Sequence, residues 1–427
     1  MTSRKCNLTQ NPWVVCLTCA LFFLYEFIQM NMFNSIQPEM IKTFKLSASE
    51  VGNFSATYAY ATTLFVFFVG VTLDRFSVRK LVLTAMASCV IFTTIFALST
   101  SLFMAGIFRF LSGISGAYCF LSCIVLASRW FPAKQLASAT GLIVTMAMIG
   151  GTLAQTPLTL LVAAVGWRKA ILIDSVVGAV FLLAMYLVIS DYPEGHIATT
   201  ETKPKQRTFV NSIYHAISSK QNWLCGTYTS LMNLMILVMG ATWNNAYLEA
   251  VHHLTRTEAS IATMMIYIGT IIGSPVVGWY SDKIGTRKKP MIQGAVIALV
   301  LSLILIFTPN LSVLSITVLM FSLGFITSTQ IISYPVIFES NPKDVTGSCE
   351  SLASFVILGG GAFFQYMYGV LLDYHWQGKI LDDVRIYTNS DHTFAFYMIP
   401  IGIAISLILA LLIKETNCQP FSESKDD

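Results

Sequence analysis

Two ionisable side chains stand where such groups are costly. Glu26 falls within the apolar run that opens at Trp13, and Arg109 within the run that opens at Leu102. Inside a bilayer each costs about 2.5–3.5 kcal/mol on insertion scales, so each needs a partner or a task. A carboxyl at that depth can carry a proton or meet an ammonium, while a guanidinium can tune that carboxyl or grip a carboxylate with two parallel hydrogen bonds. A structural ion pair joining two helices is the plainer alternative. Thr18, Phe22, Tyr25 and Gln29 recur around Glu26 at helical spacing and form a polar and aromatic stripe. Farther along, Thr229, Asn233, Gly240 and Asn244 repeat that stripe with neutral groups, and Gln330, Tyr334 and Gln365 add donors and acceptors. Such residues can orient a small solute, although Asn, Gln and Tyr in spans often only join helices.

The elements that must position these residues are read from composition. Of 427 residues, 55% are hydrophobic and only 11% charged, far from the soluble balance of about a quarter charged. Apolar runs long enough to cross a hydrocarbon core of about 30 Å recur along the chain. Twelve spans are predicted, over 13–34, 51–73, 80–100, 102–127, 137–163, 168–190, 223–247, 259–279, 290–308, 311–338, 346–372 and 392–413. The first is read as retained, since it is longer than a signal-peptide core and no small-residue cleavage site follows it. At about 1.5 Å per residue, Glu26 lies about 20 Å from the start of an outward-running span, and Arg109 about 10 Å from the start of an inward-running one. Their depths match.

Lys and Arg concentrate in the loops that lie inside when both termini are cytoplasmic. The net charge of +4 therefore reports orientation, and nucleic-acid binding is not expected. Cys16, Cys19, Cys89, Cys119, Cys123 and Cys225 fall in spans, Cys349 near a helix start, and Cys6 and Cys418 in the tails. That distribution predicts packing thiols rather than disulfides, and no Cys/His spacing matches a metal site. The histidines lie in loops or at span ends, so no imidazole relay through the bilayer is expected.

After the second span the chain reads Gly70, three residues, Asp74, Arg75, Phe76, Ser77, Val78, Arg79; after the eighth it reads Gly278, three residues, Asp282, Lys283, Ile284, Gly285, Thr286, Arg287. The copies sit at the same place in each six-span half. This pattern resembles the loop signature of the major facilitator superfamily, as do Arg109 to Gly116, Trp130-Phe131-Pro132 and Gly166-Trp167-Arg168. The first copy departs at Ser77, where the family has glycine. The resemblance implies an all-α membrane fold of two six-helix halves. The predicted halves are residues 1–190 and 222–413, with a cytoplasmic linker over 191–221 and a cytoplasmic tail over 414–427. It also implies alternating access, a central cavity lined by the first and fourth helices, and gating by Gly70, Asp74, Arg75, Arg79, Gly278, Asp282, Lys283 and Arg287. The glycines are expected to let helices approach closely, and the aspartates to accept from a neighbouring helix N-terminus.

No phosphate loop of the form GxxxxGK[ST] occurs, so ATP is not the expected energy source. No nucleophile with a histidine partner falls in the spans, and catalysis, cofactors and metals are not expected. An acid and a base at one depth suit a zwitterion. The leading expectation is a monomeric bacterial inner-membrane transporter of an amino acid or short peptide, by proton symport or facilitated diffusion. Multidrug export is the runner-up, because the fifth span lacks the full glycine and proline pattern expected of drug/proton antiporters. A receptor without transport is a third reading, less favoured because two gates serve no purpose in a static bundle.

Overall fold

The computed structural model describes residues 11–193, 209–308, 311–342, 345–381 and 383–419. The spans of the first half are α1 (Pro12–Asn31), α2 (Ala48–Arg75), α3 (Val78–Leu98), α4 (Leu102–Trp130), α5 (Ser138–Val165) and α6 (Trp167–Val188). Those of the second half are α7 (Lys220–His252), α8 (Arg256–Ile284), α9 (Lys288–Phe307), α10 (Val313–Ser340), α11 (Thr346–His375) and α12 (Asn389–Leu412). Eleven of these are long and apolar enough to cross a membrane among the described residues. The twelfth, α2, is one continuous helix of 28 residues.

Local signals start and stop these helices. Asn11 accepts from the Trp13 amide ahead of Pro12, Ser101 from Met104, and Ser312 from Ser315. Thr255 and Glu258 cap the start of α8 reciprocally. Gly285, at φ +67°, ends that helix in the left-handed conformation that glycine tolerates. Its counterpart Ser77 needs no such freedom: it is extended at φ −61° and caps α3 through the Lys80 amide. The two copies of the loop motif therefore turn differently, which explains why the first can dispense with glycine.

Two compact units form. One comprises residues 1–39 and 57–201, the other residues 40–56 and 202–427, so the start of α2 packs with the second. In the first unit α1 lies against α4, α5 and α6; in the second α8 packs on α10, and α7 on α11 and α12. The predicted linker and tail lie partly outside the described residues, as does Cys6; within the linker, Phe209–Ser218 is a short helix. Beyond the expected end of the first span the chain stays helical over Phe33–Phe44.

The repeat extends to packing. A Cβ on Gly113 of α4 would lie 2.3 Å from the Tyr58 carbonyl oxygen of α2, and one on Gly324 of α10 would lie 2.0 Å from the Ile266 carbonyl oxygen of α8. Both pairs approach as closely as a missing side chain allows. Gly324→Ala is accordingly expected to lower stability by about 1–3 kcal/mol. Gly141→Ala, where a Cβ meets nothing within 4 Å, should be neutral or raise stability by up to about 1 kcal/mol through helix propensity. Thermal unfolding of the detergent-purified variants checks this, and equal midpoints for the two would contradict the close α8–α10 approach.

Candidate functional site

Gln29 sits at the centre of the first unit's polar interior. Its Nε2 donates to Asp174 Oδ2 of α6 at 2.5 Å, its Oε1 accepts from Thr93 of α3 at 3.2 Å, and its backbone carbonyl accepts from Arg109 Nη1 of α4 at 2.7 Å. One residue of α1 thus joins three other helices. Asp174 is buried, and Gln29 is its partner.

Arg109 is only 2% exposed. Its guanidinium lies 4.8 Å from the Phe33 ring centre and 4.9 Å from that of Tyr58, so aromatic faces meet the cation while Gln29 holds one nitrogen. Phe33 belongs to the helical extension beyond α1, which explains why that extension matters. Arg109 Nε and Nη2 have no hydrogen-bond partner. These two form one edge of the guanidinium fork, the edge that grips a carboxylate with two bonds.

Glu26, on the same helix as Gln29, is buried, and its Oε2 has no hydrogen-bond partner. The same holds for the hydroxyls of Tyr25 and Tyr58. Gly116 on α4 makes room for this cluster: a Cβ there would lie 2.1 Å from Tyr58 Oη and 3.1 Å from Glu26 Cγ. Glu26 and Arg109 share a neighbourhood, yet the unused fork shows that neither neutralises the other through a direct bond. Buried polar atoms are normally satisfied, so a group of unsatisfied ones in one place asks for a function.

The second unit uses its predicted polar residues differently. Gln365 of α11 donates to the Leu237 carbonyl at 2.6 Å, while Trp243 Nε1 of α7 donates to the Gln365 carbonyl at 3.0 Å. Over Met235–Trp243 α7 widens into π-helical turns, and Gln365 satisfies one of the carbonyls that this loosening frees. Asn244 donates to Thr263 of α8 at 2.7 Å. Both residues therefore join helices. Gln330 keeps an unpartnered Oε1, Asn233 is buried beside the widened turns, and Tyr334 is half-buried. Leu234, opposite Glu26 in the repeat, is fully buried. Among the described residues no cluster of three or more His, Cys, Asp or Glu side chains is arranged to hold a metal.

In the loops, each half draws a carboxylate from beyond its sixth helix to the start of its third. Asp191 accepts from Ser77 Oγ at 2.5 Å and the Arg79 amide at 3.0 Å, and pairs with Arg129 at 3.3 Å. Glu415 accepts from the amides of Arg287 at 2.9 Å and Lys288 at 2.8 Å. Arg287 also pairs with Asp282 at 2.6 Å and Glu339 at 2.7 Å, and Lys283 lies over Trp279 at 4.7 Å. Asp191, Glu339 and Glu415 escaped the sequence reading because they lie far from the motif in sequence. The side chains of Asp74 and Arg75, and the surroundings of Gly70, lie outside what is described. Gly278 does not serve the close approach expected of it: a Cβ there meets nothing within 4 Å.

The description Major Facilitator Superfamily matches residues 18–373. The chain belongs to that superfamily. A gentisate transporter of Corynebacterium glutamicum is 23% identical over 366 residues, covering 82% of this chain and 79% of that protein. The membrane sensor protein UhpC of Escherichia coli is 23% identical over 384 residues, covering 85% and 87%. The solved inward-facing, unoccupied structure of a bacterial homologue of the human lysosomal transporter Spinster shares the fold, with a TM-score of 0.72 at 16% identity, over 93% of this chain and 94% of that one. The twelve-helix, multi-pass membrane architecture expected from the sequence is thus that of this superfamily member.

Gln29→Leu keeps the bulk and removes both side-chain hydrogen bonds, leaving the Asp174 carboxylate without its donor. The expected loss is about 1–3 kcal/mol, read as a lower unfolding midpoint in detergent. An unchanged midpoint would mean that Gln29 does not hold Asp174.

Proposed function

We propose that this superfamily member moves a small organic solute bearing a carboxylate, and that Arg109 receives that carboxylate. The observation that carries the reading is the unused Nε and Nη2 edge of a buried guanidinium, held by the Gln29 carbonyl and set between Phe33 and Tyr58. A planar fork fixed in this way favours carboxylate over neutral groups. The relative named for gentisate is named for a carboxylate, which agrees with this class.

Glu26 decides between two members of the class. If it meets an ammonium, the solute is a zwitterion, the amino acid or short peptide of the sequence reading; if it carries a proton, the solute is a simple organic acid driven by a pH gradient. The relatives described above lend no support to an amino acid, and the unpartnered Glu26 Oε2 is what keeps that reading alive. Gating by Asp74, Asp282 and their basic neighbours belongs to the same proposal. Each network at the loops is built from bonds that a moving helix can break.

Uptake into proteoliposomes under an imposed pH gradient tests this with a panel of aromatic and aliphatic acids, amino acids, dipeptides, nucleosides and neutral sugars. Carboxylates should be accumulated or compete, and neutral solutes should not. In Glu26→Gln, loss of gradient-driven uptake with surviving counterflow marks a proton carrier, whereas loss of binding for amino acids alone marks an ammonium partner. Transport confined to solutes without a carboxylate would overturn the proposal, as would binding without transport, the behaviour of a receptor.

A further inference from the structure

A second site is built wholly within the second unit, away from the polar interior. Between α8, α9 and α10 runs a groove of about 530 Å³, walled by Val276, Tyr280, Val296, Ile297 and Phe325. Val276, Val296 and Ile297 are 42–44% exposed on spans of high hydropathy, and exposed apolar side chains on a span face lipid. From Pro290 to Ile297 the groove follows α9 for about 10 Å at ~1.5 Å per residue, about a third of a ~30 Å hydrocarbon core.

Its mouth is basic. The groove shares Ile292 and Gln293 with a shallow surface depression lined by Lys288, Lys289 and Glu415. Both oxygens of Glu415 already accept from backbone amides. Lys288 Nζ donates to the Leu411 carbonyl at 2.6 Å, and Lys289 is exposed with no ion pair among the described residues. Tyr280 Oη donates to Gln293 Oε1 at 3.1 Å where groove and mouth meet, and nearby Lys283 lies over the exposed Trp279 ring. An apolar trough within one leaflet, ending in lysines and interfacial aromatics, matches a molecule with acyl chains and an anionic head.

We propose that this groove binds an anionic phospholipid in the leaflet on the side of the Asp282–Arg287 loop. The acyl chain lies along α9, and the phosphate is received by Lys288 and Lys289. Because Glu415 and Arg287 belong to the loop network, an occupied site steadies the start of α9 while leaving their bonds in place.

Native mass spectrometry of the full-length protein, released from detergent with equimolar phosphatidylglycerol and phosphatidylcholine, tests this. Phosphatidylglycerol should be retained preferentially. Lys289→Gln should lower that preference about fivefold, the worth of one lysine near an anionic surface. Val296→Trp, which fills the trough from its lipid side, should reduce retention of both lipids, whereas Val180→Trp, on an exposed position of α6, should change neither. Equal retention of the two lipids by the wild type would overturn the proposal, as would an unaltered preference in Lys289→Gln or equal loss in both tryptophan variants.

Discussion

A guanidinium inside a bilayer must be held, and the way it is held here governs the rest of the first half. Arg109 gives one nitrogen to the backbone of Gln29 and its face to two aromatic rings. The side chain of that same Gln29 reaches Asp174 and Thr93. Four helices therefore meet at one residue of α1, and the geometry of the charge is inseparable from the packing of the half. An uncompensated buried cation is expensive, and leaving its bidentate edge free adds to that cost; under the proposed function a bound carboxylate offsets it.

The two halves share a frame and divide the tasks. Equivalent glycines seat α4 on α2 and α10 on α8, and equivalent carboxylates cap the third helix of each half. The interiors then diverge. The first half carries Glu26, Arg109 and Asp174, whereas the second places Leu234 opposite Glu26 and uses Asn244 and Gln365 to brace the widened turns of α7. The buried ionisable groups Glu26, Arg109 and Asp174 lie on one side of the repeat. A helix with π-helical turns, whose carbonyls are satisfied by side chains, lies on the other.

Much of this was legible in the sequence. Length and apolarity set the spans, because a bilayer fixes helix length, and the paired Gly70 and Gly278 motifs gave the repeat. Glu26, Arg109 and Gln29 stood out because polar groups in such runs are rare. What escaped notice depended on distance along the chain. Tyr58 and Phe33 are ordinary aromatics until α4 brings Arg109 to them. The partner of Asp174, Gln29, lies 145 residues away, and Asp191 and Glu415 cap helices from more than a hundred residues away. Gln365 looked like a lining residue, since nothing in its neighbourhood announces π-helical turns in α7.

The central claim is that the free edge of Arg109 reads a carboxylate. It is tested most directly by measuring, for whichever solute is taken up, the affinity of the acid and of its neutral amide in the wild type and in Arg109→Lys. A lysine keeps the charge and loses the planar fork. The account predicts that the wild type prefers the acid by tenfold or more, roughly the 1.5–3 kcal/mol of a hydrogen bond to a charged group, and that the preference collapses in the variant. A preference that survives Arg109→Lys undiminished would contradict it.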